Sequence, residues 1–346
     1  MEALQLAEVD AESKSESRVF PAGNMKITVI LCTYNRCWEL ANALHSVGAS
    51  TLPEAVEWEV LVVDNNSSDQ TREVVEDFCR RHPRRVRYLF EPQQGKSYAL
   101  NSGIREAKGE VLAFLDDDVT VDPSWLQNLT APLLNGEWSG SGGRTIRAQA
   151  FTPPDWLALD GPYSMTGVLY ASFDLGGEPR ELDRAPYGTN MAYRKKMFEK
   201  YGDFRTDLGP SPDKGVPRPN EDTEFGRRLM AAAERLRYEP SALVYHPVPE
   251  SRIQKDYFLA WWFDYGRARV REWGRGPDVW GVPRPYLNIL ATAMRMMVTS
   301  MRRWMLALNS QRRFYWKCWV WVAAGEIREF YRFARCKDTK HRDARV

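Results

Sequence analysis

Between Lys26 and Leu115 a short apolar run gives way, four times, to a cluster of polar residues. The runs are Lys26–Cys32, Glu59–Val63, Val86–Phe90 and Val111–Leu115. They are rich in Val, Ile and Leu and about the length of a buried strand. Helical spacing follows the first three, through Leu40, Leu44 and Val47, then Val74, Val75 and Phe78, then Ala99, Leu100 and Ile104. Strand and helix in alternation at this spacing admit few folds. They predict a parallel sheet wrapped by helices, because parallel strands need a crossover connection and a helix is the usual one. A sheet of this kind binds ligands beyond the carboxyl ends of its strands.

The polar clusters stand at those ends. Thr33–Arg36, Asp64–Asp69, Gly95–Lys96 and Asp116–Asp118 should converge on one edge, although each alone reads as a loop. The last cluster is the most demanding. Three consecutive carboxylates at a strand end repel one another and are costly wherever water is excluded. They read either as a solvated acidic turn or as the place of a divalent cation that holds phosphates. There is no GxGxxG. Gly95-Lys96-Ser97 looks like the end of a phosphate loop, but position 90, where its first glycine belongs, is Phe90. A hydride-transferring dehydrogenase and a P-loop ATPase are both disfavoured.

Past Pro123 the alternation stops. Gly140–Arg147 and Tyr187–Tyr193 read as strands and Arg194–Tyr201 as a helix. Residues 153–177, rich in Pro, Gly and aromatics, suggest a variable segment on the substrate side. The loop Gly202–Asn220 has the length of an active-site lid. It delivers Glu221 and Asp222 to a helix start, where carboxylates either complement the helix dipole or do chemistry. Leu236–His246 is a closing strand. The expected organisation is a polar leader over 1–24, a catalytic domain over 25–250 and a helical region over 251–346. Five scattered cysteines without CxxC predict a reducing compartment and no zinc site. The first residues carry no basic and apolar signal-peptide pattern, which predicts a cytoplasmic chain.

Taken together, VILCTYNR, EVLVVDNNSSDQT, GKSYALNSGI, GEVLAFLDDDV, YGTNMAYRK and NEDTEFGRRL occur in an order that resembles a family-2 glycosyltransferase of the GT-A fold, over about Met25 to Pro247. The resemblance implies a Rossmann-like, mostly parallel α/β sheet and an inverting transferase that uses a nucleoside-diphosphate sugar, with a lean to UDP, and Mn²⁺ or Mg²⁺. It implies that Thr33, Tyr34 and Arg36 line the base and ribose, that Asp64 accepts from a ring N–H, and that Gly95, Lys96 and Asn101 close over them. Asp116 and Asp118 match the ends of a DXD signature, with Asp118 on the metal, Asp116 at the ribose or a metal-bound water, and Asp117 either facing the sugar or structural. Asp222 matches the general base, and Glu221 stands beside it. Asn190 would lie near the donor sugar. His246 either completes the metal shell or is a hydrogen-bonded histidine at a strand end. Arg144 and Arg147 either reach phosphates or make surface ion pairs. The rival reading is a silent sugar-nucleotide-binding scaffold, against which stand the intact Asp116, Asp118 and Asp222.

Charge divides the chain. From Arg252 onward there are 20 Lys+Arg and 8 Asp+Glu, while the whole chain has 48 and 46. An acidic body carries a basic tail. Leu287, Leu290, Met294, Met297, Met301, Trp304 and Leu308 form one helical stripe, and Trp316, Val320, Ala323, Ile327, Phe330 and Ala334 another. They predict an αα-hairpin that either packs on the body or meets an anionic membrane peripherally, at the inner face. A glycan or lipid-linked acceptor would suit the latter. No nucleic-acid module is recognisable.

Overall fold

A computed structural model describes residues 26–82, 85–134, 136–212, 218–273 and 285–335. The expected leader lies outside them, as do residues 213–217 of the loop expected to be a lid and residues 274–284. The first half runs β1 (Lys26–Thr33), α1 (Cys37–Gly48), β2 (Glu57–Asp64), α2 (Thr71–Arg81), β3 (Val86–Phe90), α3 (Lys96–Glu106) and β4 (Val111–Asp116). Then come β5 (Thr120–Val121), α4 (Trp125–Leu134), β6 (Gly140–Arg147), α5 (Thr166–Tyr170), β7 (Arg180–Glu181), β8 (Asn190–Arg194) and α6 (Lys196–Tyr201). The chain continues through α7 (Glu221–Ala231), β9 (Leu236–His246), α8 (Lys255–Trp273), α9 (Pro285–Leu306) and α10 (Ser310–Arg335).

One sheet has the order β3-β2-β1-β4-β8-β6-β9-β5, with β7 added on β9. β1, β2, β3 and β4 pair in parallel, as the alternation predicts. β8 then enters antiparallel to both β4 and β6, and the sheet is mixed from there on. The helices α1, α2 and α4 cover one face through Leu40, Leu44, Val75, Phe78, Trp125 and Leu129. The other face packs Leu100, Ile104, Phe198, Phe225 and Leu229 from α3, α6 and α7 against Ile30, Leu61 and Phe114. Burial on both faces is why the first strands lack a polar alternation. Parallel pairing of β1 to β4 brings all four polar clusters to one edge.

The predicted αα-hairpin is present as α9 and α10, and α8 packs along α10. Phe258 and Trp262 of α8 meet Phe314, Cys318 and Val322 of α10, together with Leu157, Met165 and Leu169 of the aromatic segment. Two glycines set the α8–α10 spacing. A methyl group at Gly266 would run into the Val322 carbonyl oxygen, and one at Gly325 into that of Phe263. The buried Glu329 binds Arg267 at 2.9 Å and Arg271 at 2.7 Å across the same crossing. Gly266→Val should therefore force the helices apart and lower stability by about 2 kcal/mol or more. Gly48→Ala, with open space around it, should leave the thermal unfolding midpoint nearly unchanged.

Candidate active site

β4 carries Asp116 to the carboxyl edge, where the next two aspartates turn in different directions. Asp116 accepts from Lys96 Nζ at 2.6 Å and from Thr189 Oγ1 at 2.6 Å. Burial alone would raise its pKa. Lys96 outweighs that and holds Asp116 well below the usual carboxylate range. Lys96 opens α3 after Gly95, whose φ of 134° strains any residue with a side chain. Gly95 N–H donates to Asn65 Oδ1 at 2.7 Å, which fixes that turn to the loop after β2. Asp117 is buried and accepts from Arg36 at 2.9 Å. Burial nevertheless pushes its carboxyl up to about 6.

Asp118 faces a second set of partners. Arg36 lies 3.0 Å and Arg252 3.1 Å from its Oδ2, and His246 Nε2 lies 3.8 Å from its Oδ1. His246 Nδ1 is 2.7 Å from the Pro247 carbonyl oxygen. That contact places the ring proton on Nδ1 and leaves the Nε2 lone pair towards Asp118 and Arg252. Burial lowers the histidine pKa and keeps it neutral. A neutral imidazole with its far N–H held by a carbonyl is the tautomer of a metal-ligating histidine. Among the described residues no group of three or more His, Cys, Asp or Glu could hold a metal ion. Asp118 and His246 offer two donors, which suits a cation that takes its remaining ligands from water and substrate phosphates. Arg252 now stands between them, with Nη1 3.2 Å from His246 Nε2.

The loop before α7 brings the second acidic pair to the same place. Asn220, at φ 87°, turns the chain into α7. Glu221 is buried, with Oε1 3.6 Å from Lys96 Nζ. Burial, with Asp222 beside it, pushes Glu221 up to about 8 against the pull of Lys96. Asp222 is half-buried. It accepts from Gly188 N–H at 2.5 Å and from Thr223 N–H at 2.6 Å. The dipeptide Gly188-Thr189 thus holds Asp222 with one residue and Asp116 with the next.

Asp64 is buried at the end of β2, with Oδ1 accepting from Ser67 N–H at 2.9 Å and Oδ2 from the Tyr88 hydroxyl at 2.8 Å. The loops after β1 and β2 are laced by Asn35 and Ser67 through a 3.0 Å bond. Beside them Thr33 is buried, and Tyr34 and Arg36 are exposed. Two residues expected at the donor are engaged elsewhere. The Asn101 amide donates to the Phe204 carbonyl at 2.9 Å and accepts from its N–H at 3.0 Å, tying α3 to the loop before α7. Asn190 points into the core, bonded to Trp125 Nε1 at 2.9 Å and to the carbonyls of Arg144 and Ala242. Arg144 pairs with Asp174 at 2.7 Å.

Sequence reasoning missed Thr189 and Arg252. Adjacent strand residues face opposite ways, so the neighbour of a core-facing Asn190 should face the crevice. For Arg252 the available signal was its place, at the first residue of the basic tail and six after His246.

A sheet of this topology with an acidic crevice at the carboxyl ends is the GT-A glycosyltransferase architecture. Two solved structures share the fold at 18% identity. One is a mannosyltransferase from Pyrobaculum calidifontis in complex with GDP-Man and Mn²⁺, with a TM-score of 0.59 over 90% of this chain and 89% of that one. The other is GalNAc-T7 with UDP, GalNAc and Mn²⁺, with a TM-score of 0.56 over 79% and 51%. The chain belongs to glycosyl transferase family 2, whose model matches residues 28–202. It is 30% identical to the succinoglycan biosynthesis protein ExoM of Rhizobium meliloti, over 70% of this chain and 72% of that protein. It is 29% identical to a glucosyl-dolichyl phosphate glucuronosyltransferase of Haloferax volcanii, over 70% and 76%.

Glu221 makes stability pH-dependent in a defined direction. Its carboxyl titrates near 4.5 when unfolded and about 8 when folded. Between those values the native state keeps a proton that the unfolded chain has lost. The contribution is whole below about pH 4.5 and is lost as pH rises through about 8. Thermal melts from about pH 5 to 8 should show the wild type losing stability relative to Glu221→Gln, whose side chain stays neutral. Parallel curves would contradict the buried, protonated carboxyl.

Proposed function

We propose that the chain moves a sugar from a nucleoside-diphosphate sugar, UDP-linked in this reading, to an acceptor hydroxyl with inversion at the anomeric carbon. The observation that carries it is the Gly188-Thr189 dipeptide, which joins Asp116 at the donor end to Asp222 at the acceptor end. Asp64, already held by Ser67 and Tyr88, has lone pairs left for a ring N–H of the base. Thr33, Tyr34 and Arg36 flank it. Lys96 fixes Asp116, and Gly95 lets the backbone turn close beside the ribose. The Asn101 and Asn190 amides, engaged with the protein, hold the frame rather than the donor. A bound Mn²⁺ or Mg²⁺, held by Asp118 and His246 with Asp116 nearby, would supply the positive charge that a departing diphosphate requires. Both neighbouring structures named above contain Mn²⁺.

Asp222 takes the proton. Its two backbone bonds fix the carboxylate plane, and each oxygen keeps a lone pair for an acceptor hydroxyl. The acceptor oxygen bonds to the anomeric carbon as the bond to the diphosphate breaks, and the hydroxyl proton goes to Asp222. One displacement with one base inverts the centre. Glu221, buried and protonated at neutral pH, is a neutral neighbour that leaves Asp222 as the base. The acceptor in this reading is a glycan, free or carried on a lipid, as the names of the relatives suggest by analogy. The working place is the cytoplasmic face of an anionic membrane, met peripherally. No helix among the described residues is long and apolar enough to cross a membrane.

Asp222→Asn keeps the shape and removes the base. Transfer should fall by about 10²–10⁴-fold, while the rise in melting temperature given by UDP with Mn²⁺ stays near that of the wild type. Full transfer by this variant would rule out Asp222 as the base.

A further inference from the structure

Six of the most exposed large apolar side chains fall between Met294 and Leu308. Met294, Val298, Met301 and Met305 follow one another at spacings of four, three and four, which puts them in one row along α9. Met305 is 65% exposed, and Leu306 and Leu308 at the end of the helix are 76% and fully exposed. The buried side of α9 carries Ala293 and Ser300, with Ala307 just past its end, and beside them the half-buried Met296, Met297 and Trp304. α9 packs against α10 on that side and still turns Met294, Val298, Met301 and Met305 outward. A solvated helix has the reverse pattern, and a contiguous apolar strip of this size on a surface marks a contact site.

Charge identifies what covers it. The sequence from Pro285 to Gly325 contains no Asp or Glu. Arg295 and Arg302, seven apart, run along one edge of the row, and both are exposed. Arg312 and Arg313 are exposed just beyond the turn. A second copy of this chain laid face to face along α9 would bring these arginines together with no carboxylate on either α9 to answer them. Anionic lipid headgroups answer them, and the acyl region takes methionine and leucine side chains at the depth an interfacial helix reaches. We infer that the outer face of α9 docks on an anionic lipid surface.

The docking helix is tied to the active site. α9 packs on α10, α10 on α8, and Glu272 at the end of α8 accepts from Asn220 at 2.6 Å and from Arg227 at 2.7 Å, on either side of Asp222. A surface contact through α9 would therefore fix how the crevice faces the membrane. The inference does not rest on the transfer chemistry proposed above.

Sedimentation of the full-length protein with phosphatidylcholine vesicles, with and without phosphatidylglycerol, tests it. Binding should require phosphatidylglycerol and weaken with salt. The double variant Met301→Glu/Met305→Glu should lower partitioning by about tenfold or more, and Arg295→Ala/Arg302→Ala should remove the preference for anionic vesicles. An unchanged melting temperature, and an unchanged shift with UDP and Mn²⁺, would separate these losses from misfolding and from any failure of the transferase reading. Should the glutamate pair melt lower, the arginine pair reads the same surface. No vesicle binding, equal binding to neutral vesicles, binding untouched by either pair, or a self-association that the glutamate pair abolishes would each overturn the inference.

Discussion

Like charge at one sheet edge is the constraint on which the rest depends. Asp116, Asp117, Asp118, Glu221 and Asp222 meet where water is largely excluded, and each must be answered or neutralised. The chain uses both solutions. Lys96 answers Asp116, Arg36 answers Asp117, and Arg36 and Arg252 share Asp118. Glu221 is neutralised instead, because burial beside Asp222 favours its protonated form. The result is a division of labour. Asp116 is locked from two sides, and Asp222 is oriented by backbone N–H groups. Asp118 stands between two arginines and a neutral imidazole.

The C-terminal helices belong to that arrangement. Arg252, in the turn before α8, reaches Asp118 directly. Further along α8, Arg271 donates to the Asp207 carbonyl at 2.6 Å, and Asp264 pairs with Arg218 at 2.9 Å. These bonds fasten both described ends of the loop before α7, whose residues in turn hold α3 through Phe204, Leu208 and Pro210. The basic tail thus acts on the acidic body twice, once as a counter-charge and once as a frame for the loop that presents Glu221 and Asp222.

The legible part of the fold was the part dictated by local pattern. Strands β1 to β4 announce themselves because both faces are buried and the runs are continuously apolar. The direction of β8 does not, because an apolar run looks the same whichever way its partner runs; Gly140 and Gly143 of β6 leave the room that Tyr193 and Asn190 of β8 occupy. The same limit applies to the site. The carboxylates were readable because an acidic run after an apolar strand is anomalous by itself. Asn101 and Asn190 were not, since a buried amide serves a ligand or a backbone equally well until its partners are known. Arg252 lies 134 residues from Asp118, and no spacing rule spans that distance.

In our proposal Asp118 serves the cation and diphosphate while Asp222 serves the proton. Calorimetric titration of UDP with and without Mn²⁺ tests it most directly, using wild type, Asp118→Asn and Asp222→Asn. Mn²⁺ should tighten UDP binding to the wild type and to Asp222→Asn, and Asp118→Asn should lose this dependence. An Asp118→Asn variant that keeps the Mn²⁺ dependence, or an Asp222→Asn variant that loses it, would contradict this division of roles.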